Sequence, residues 1–159
     1  FEEAVKELGI VLGFQSQRPE KTDEKGPDNL SQISGKQFWL ISCKNMVKMN
    51  RQVIHKKEVG QLNTDIAWFR KHYENCTPIP IFIHPAKILD SDAFLTETSY
   101  VITKETLDKL KRKISNFYNS LKKIPFEDIS TEIVKAKLVE SYLDLMSLKK
   151  NLEIIREHT

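Results

Sequence analysis

Phe38-Trp39-Leu40-Ile41-Ser42-Cys43 is the segment that most narrows what this chain can fold into. It is short and almost unbroken in its apolarity, with none of the in-out alternation of a half-solvated strand, so it reads as a buried central strand. Leu30 to Ile33 and a turn signal at Ser34-Gly35-Lys36 precede it, which makes the two runs a hairpin whose first arm Asp28 opens. After it, Val59, Leu62, Ile66, Phe69 and Tyr73 recur at three- and four-residue steps, predicting a helix of about five turns. Pro78-Ile79-Pro80-Ile81-Phe82-Ile83-His84 then reads as a further strand, its prolines placing them at the strand's beginning or at a sheet edge.

The flanks extend this pattern. Phe1, Val5, Leu8 and Leu12 form an apolar helical stripe beside Glu2 and Glu3, and Gly13 ends it. A short extended segment is expected at Phe14 to Gln17. Arg18 to Lys25 lacks apolar periodicity and reads as a loop, which Gly26-Pro27 carries up to Asp28. From His84 to Tyr100 the chain is irregular. Thr103 is the predicted N-cap of a helix reaching about Lys123, with Ile102 and Leu107 as a hydrophobic staple, and Ser130 caps a last helix to the C-terminus. The order helix, strands, helix, strand, helix, helix predicts an α/β fold, three layers around a mixed sheet. The core is expected over 1–124, with 125–159 a helical extension packed on it or on a partner.

At 159 residues the chain can bury one sizeable core. A formal charge of +3 is compatible with an anionic partner such as nucleic acid and does not require one. Cys43 and Cys76 show no CxxC or Cys/His spacing, and His55, His72, His84 and His158 no metal-ligand spacing. A disulfide scaffold and a zinc module are thereby set aside. No secretory signal or membrane-length apolar stretch is present, so a reduced, cytoplasmic setting without a membrane is expected. The start at Phe1, directly in a helical pattern, leads us to expect a domain cut from a longer polypeptide.

Centring the hairpin on Gly35 sets opposite each other residues whose numbers sum to seventy, so Asp28 falls across from Ser42. Period-two alternation puts Lys44 on the same face and turns Cys43 away, which makes Cys43 a small buried residue rather than a nucleophile. Hydrolysis of a phosphodiester calls for neutralised non-bridging oxygens and hydroxide at neutral pH, held in line with the leaving group. Carboxylates holding magnesium supply this, and a lysine beside them orients the attacking water and offsets growing phosphate charge. Asp28 and Lys44 are of the right types.

Taken in order, Gly26-Pro27-Asp28-Asn29-Leu30, Ser42-Cys43-Lys44-Asn45 and Lys56-Lys57-Glu58-Val59-Gly60-Gln61-Leu62 give the chain, over roughly Phe1 to Lys123, a resemblance to the restriction-endonuclease-like or PD-(D/E)xK superfamily. Within it they resemble nuclease domains attached to bacterial DEAD/DEAH-type helicases or defence proteins. The resemblance implies a restriction-endonuclease-like α/β/α core, a Mg2+-dependent DNA endonuclease in which Mn2+ substitutes, DNA and a fused or separate helicase as partners, and a homodimer if both strands are cut. The chain departs from the family at Ser42, which stands where a second carboxylate belongs and whose neutral hydroxyl cannot offset a divalent charge. One branch of type II restriction enzymes reads PD then SxK and takes the missing acid from the following helix, fourteen residues beyond the lysine; Glu58 has that spacing from Lys44. The implied site is therefore Asp28 and Glu58 as metal ligands, Lys44 at the attacking water, Ser42 as polar neighbour and Gln61 as auxiliary. Glu2, or alternatively Glu3, joins them from the family's Phe-Glu pattern. Asp65, one turn beyond Gln61, stands where some relatives carry tyrosine, so no role transfers to it.

Other readings compete. Glu58 as a first-turn acid suits the helix dipole without any catalytic duty, and Gln61 can be an ordinary solvated side chain. The run Lys109, Lys111, Arg112, Lys113, Lys122 and Lys123 reads as a solvated helix face as readily as a phosphate contact. The alternative function is a catalytically inactive nucleic-acid-binding or docking module of a larger helicase-type protein, and a third is protein interaction through the last helix.

Overall fold

The computed structural model describes residues 1–23, 25–44 and 50–158. In chain order the elements are α1 (Glu2–Val11), β1 (Gln15–Gln17), α2 (Pro19–Asp23), β2 (Asn29–Ser34), β3 (Gln37–Cys43), β4 (Val53–Ile54), α3 (Lys56–His72), β5 (Thr77–Ile83), β6 (Ile88–Leu89), β7 (Tyr100–Ile102), α4 (Lys104–Leu121), a 3-10 turn at Phe126–Asp128, α5 (Thr131–Glu140), α6 (Leu145–Lys150) and β8 (Glu153–Ile154). The protein is α/β, with a mixed six-stranded sheet in the order β1-β2-β3-β5-β7-β8 and a small parallel pair β4-β6. Two compact units divide it: Phe1–Lys104 with Glu153–Thr159, and Glu105–Leu152.

In the first unit the hairpin keeps the register expected from its turn. Asn29 pairs with Ile41, Leu30 with Leu40, Ser31 with Trp39 and Gln32 with Phe38, before an irregularity shifts the pairing at Ser34 and Gln37. β3 is buried along nearly its whole length and lies between β2 and β5, parallel to β5, with α3 as the crossover. The prolines of β5 align with Phe38 and Leu40 of β3, whereas β7 joins only at Ile81 to Ile83. Pro78 and Pro80 therefore sit where the strand has a neighbour on one side alone, so no ladder bond to β7 is forfeited.

Alternation sorts the sheet's faces. Leu30, Phe38, Leu40 and Phe82 belong to one buried cluster with Val59, Leu62, Ile66 and Phe69 of α3. Each of those four α3 side chains is at most 3% exposed, and at about 1.5–3 kcal/mol apiece they hold the helix to that face. Ser31 and Asn29 point the other way, toward α1. A Cβ at Gly9 would lie 2.9 Å from Ser31 Oγ, and Asn29 Nδ2 donates to the Glu2 carbonyl at 3.1 Å.

Several expectations are corrected. The supposed loop Arg18 to Lys25 contains α2, a five-residue helix too short for a periodic signal, which opens on Pro19 where the missing N–H costs nothing. The irregular stretch before Tyr100 contains β6, whose partner β4 was likewise not foreseen; two-residue strands carry no alternation to read. The last helix does not run to the C-terminus. Ser130 caps α5, accepting from the Ile133 N–H at 3.3 Å, but α5 ends at Glu140 and Tyr142 takes a positive φ of 55°. Asp144 then caps α6 through the N–H groups of Met146 and Ser147, and β8 returns to the sheet beside β7.

The second unit consists of α4 from Glu105 on, the 3-10 turn, α5 and α6. Lys109 pairs with Glu105 at 2.6 Å and Lys113 Nζ stands 5.4 Å from the Tyr142 ring centroid. Among the described residues no helix is long and apolar enough to cross a membrane.

Candidate active site around Asp28

Three residues bring the chain to the site. Gly26 has a φ of +107°, and a Cβ there would meet the Trp68 ring at 3.0 Å and Pro19 at 3.1 Å, so only glycine lets the loop lie against α3. Pro27 is buried, and Asp28 follows at 5% exposure, immediately before β2. One step beyond the Asn29–Ile41 pair, the register sets Asp28 across from Ser42, and the Cys43 N–H donates to Asp28 Oδ2 at 2.5 Å. The strand backbone itself thus fixes the carboxylate. Glu20 of α2 shares a hydrogen bond with Asp28. That contact, then partial burial, then the negative charges of Asp28 and Glu2 raise the Glu20 carboxyl above its ordinary range.

Ser42 and Lys44 complete the strand's contribution. Ser42 is fully buried, and its Oγ has no hydrogen-bond partner among the described residues. Lys44 is half-buried, and its Nζ donates to Gln61 Oε1 of α3 at 2.8 Å. Asn45, the last residue of that motif, lies outside the described residues. One turn past Gln61, Asp65 is 4% exposed, and its Oδ2 has no hydrogen-bond partner among the described residues. Burial first, then the negative charges of Asp28 and Glu20, push its carboxyl up to about 7, against the pull of the Lys44 ammonium. The same burial and the charge on Asp28 push the Cys43 thiol up to about 12, leaving it without thiolate character.

Glu58 has other partners. Arg51 Nη1 lies 2.9 Å from both of its carboxylate oxygens, and the His55 N–H donates to Oε2 at 2.9 Å, an arrangement that closes the first turn of α3. Buried His84 accepts the Ala86 N–H on Nδ1 at 2.9 Å, which leaves the proton on Nε2, 3.7 Å from Glu58 Oε1; burial lowers the affinity of that imidazole for a second proton. Glu2 is ion-paired with Arg18, which also reaches Glu3 at 3.3 Å, and hydrogen bonds from Lys6 and Arg18 hold the Glu3 carboxyl down at about 2. Arg18 and Glu20 thereby link α1 to Asp28.

The structure brings together Asp28, Ser42, Lys44 and Gln61. It holds Glu58 in an ion pair of its own and Glu2 behind Arg18. Sequence reasoning missed Glu20 and gave Asp65 no role. Asp65 was detectable as a lone acid, with Ile66 and Leu62 beside it, on the apolar side of the helix; Glu20 had no signal, since its helix went unseen. Among the described residues no three His, Cys, Asp or Glu side chains converge closely enough to hold a cation unaided. An open depression beside β1, lined by Gln15, Gln17, Gln32, Phe38 and Tyr73, contains none of the site residues. Set against protein-family models, curated proteins and solved structures, the chain matches none of them.

Proposed function

We propose that this chain is a divalent-metal-dependent DNA endonuclease domain with a restriction-endonuclease-like core, three layers deep, acting beside a fused or separate helicase. One observation carries the reading: the hairpin register sets Asp28 opposite Ser42 and turns Lys44 to the same face, where it meets Gln61 of α3. The placement of α1 and α3 over opposite faces of the sheet supports the layered core.

The donors suit magnesium or manganese. The candidate ligands are oxygens, and two of them, Ser42 Oγ and Asp65 Oδ2, are buried without a hydrogen-bond partner among the described residues. Mg2+ is bound through one or two carboxylates and completed by water and substrate phosphate, so two acids would suffice to hold it. Asp28 and a carboxylate of α3 would hold the ion, which when bound supplies Lewis acidity and hydroxide at neutral pH. The protein's own part is positional. Cys43 N–H fixes the Asp28 carboxylate, and Gln61 steadies the Lys44 ammonium where it orients the attacking water and offsets charge on the phosphate.

The test is incubation with plasmid and linear DNA in Mg2+ and in Mn2+, comparing wild type with Asp28→Ala and Lys44→Ala. Metal-dependent nicking or cutting that both variants lose by a hundredfold or more is expected. Cutting that survives in both refutes the site, and binding of DNA without any cutting favours the second reading, an inactive nucleic-acid-binding module. Ser42 in the position of an acid is the observation behind that alternative.

A further inference from the structure

We propose that the carboxylate absent at position 42 is supplied by Asp65 of α3, and not by Glu58, so that Asp28 and Asp65 are the paired acidic ligands of the cation. This rests on the nuclease reading and names a residue that its motif does not assign.

α3 lies along β3 and is fixed to it at two points. Lys44 meets Gln61, and at the far end Phe38 meets Phe69 and Tyr73 at ring-centroid distances of 5.4 and 5.2 Å. The helix therefore runs back along the strand. From Lys44 to Ser42 the strand covers about 6.6 Å, at about 3.3 Å per residue. At 1.5 Å per residue, about four helical residues cover the same distance, which leads from Gln61 to Asp65. Glu58 lies one turn the other way, about 4.5 Å beyond the level of Lys44. Trp68 supplies an independent check: three residues past Asp65, it packs against Gly26, two residues before Asp28. Asp65 is thus bracketed by contacts to both motifs.

Charge agrees with position. Glu58 already has a guanidinium on both oxygens and a backbone N–H besides. Asp65 is buried, and fully buried Ser42 lies on the facing strand; among the described residues neither Asp65 Oδ2 nor the Ser42 hydroxyl has a hydrogen-bond partner. Burying a carboxylate without a full set of hydrogen bonds is unfavourable, and a cation shared with Asp28 would offset that penalty. Glu58 is satisfied by Arg51 and a backbone N–H, whereas one oxygen of Asp65 has no hydrogen-bond partner among the described residues and is open to a ligand.

Isothermal titration of Mn2+ into the EDTA-stripped full chain distinguishes the two acids. Asp65→Asn, nearly isosteric, is expected to lose at least tenfold in affinity, while Glu58→Gln stays within twofold. Exchanging the pair, Ser42→Asp with Asp65→Ser, is expected to recover at least half of the lost logarithm of affinity, which also guards against a folding defect in the single variant. Wild-type affinity in Asp65→Asn, a tenfold loss in Glu58→Gln, or no Mn2+ binding by the wild-type chain overturns the proposal. Wild-type DNA cleavage by Asp65→Asn overturns it and leaves the nuclease reading standing. Asp65-dependent Mn2+ binding with no cleavage of any DNA does the reverse.

Discussion

Replacing Asp65 by asparagine in the metal-free protein should make the fold more resistant to alkaline conditions, because the wild-type carboxylate is held where its charge is unwelcome. Burial and the negative charges of Asp28 and Glu20 lift it from 3.8 to about 7. The folded-state value is raised, so the protonated folded form is at no disadvantage below 3.8. Stability then falls as the unfolded chain ionises first, and the fall is complete once pH passes about 7. At about 1.4 kcal/mol for each tenfold in proton affinity, the whole loss is on the order of 4 kcal/mol, of which about 3 falls between pH 4.5 and 8. Asparagine has no such titration; its amide, lacking a partner, costs about 1–2 kcal/mol at every pH. The variant is therefore slightly weaker than wild type at pH 4.5 and about 2 kcal/mol stronger at pH 8. Urea denaturation in EDTA, followed by far-UV circular dichroism at half-unit pH steps, measures this directly. Parallel stability profiles for the two proteins would show that Asp65 is solvated and paired, and the reasoning would be wrong.

Gly26→Ala should cost about 2 kcal/mol or more in urea, since it adds a Cβ at a φ of +107° against the Trp68 ring. Gly13→Ala, with a φ of +84° and nothing within 4 Å, is the control and should cost less; equal losses would mean that the Trp68 contact is unimportant. Native protein at pH 8 should be alkylated at Cys76 alone, with Cys43 reacting only after unfolding, because the Cys43 thiol is pushed up to about 12. Mass spectrometry of iodoacetamide-treated peptides reads this, and fast native labelling of Cys43 would refute it. Arg51→Met should lower stability by about 1 kcal/mol through loss of the half-buried pair with Glu58. Its Mn2+ affinity should not change, and a large change would return Glu58 to the metal site.

What could be read in the sequence was what simple periodicity encodes. The pairing of Leu30 with Leu40 is the one that centring on Gly35 and burying both leucines demands, although the turn itself closes Ser34 on Gln37 and the irregularity between Gln32 and Ser34 brings the strands into that register. The span of α3 follows from five apolar residues at helical steps. The prolines of β5 were placed correctly because a missing N–H has one physical consequence wherever it occurs. What could not be read was short or depended on distant chain. α2, β4 and β6 have too few residues to show a period, and β8 exists only because the chain returns to pair with Tyr100 and Val101. α5 buries no residue, so its end at Glu140 left no apolar stripe to interrupt.

The assignment of the acid shows the same division. Counting residues from Lys44 to Glu58 treats the intervening chain as a fixed spacer, but the position of a helix along a strand is set by side-chain contacts. Here those are Gln61 with Lys44 and Phe69 with Phe38. Once these hold α3, strand and helix rises decide which acid faces position 42. Ser42 and Asp65 are then complementary. With Asp28 fixed by the Cys43 N–H and Glu20 hydrogen-bonded beside it, a second acid on the strand facing Asp65 would put another negative charge in a buried space that already holds these carboxyls. On the proposed reading, a hydroxyl at 42 with the carboxylate on the helix would keep the donor count of a two-acid site and its charge, moving one ligand from strand to helix.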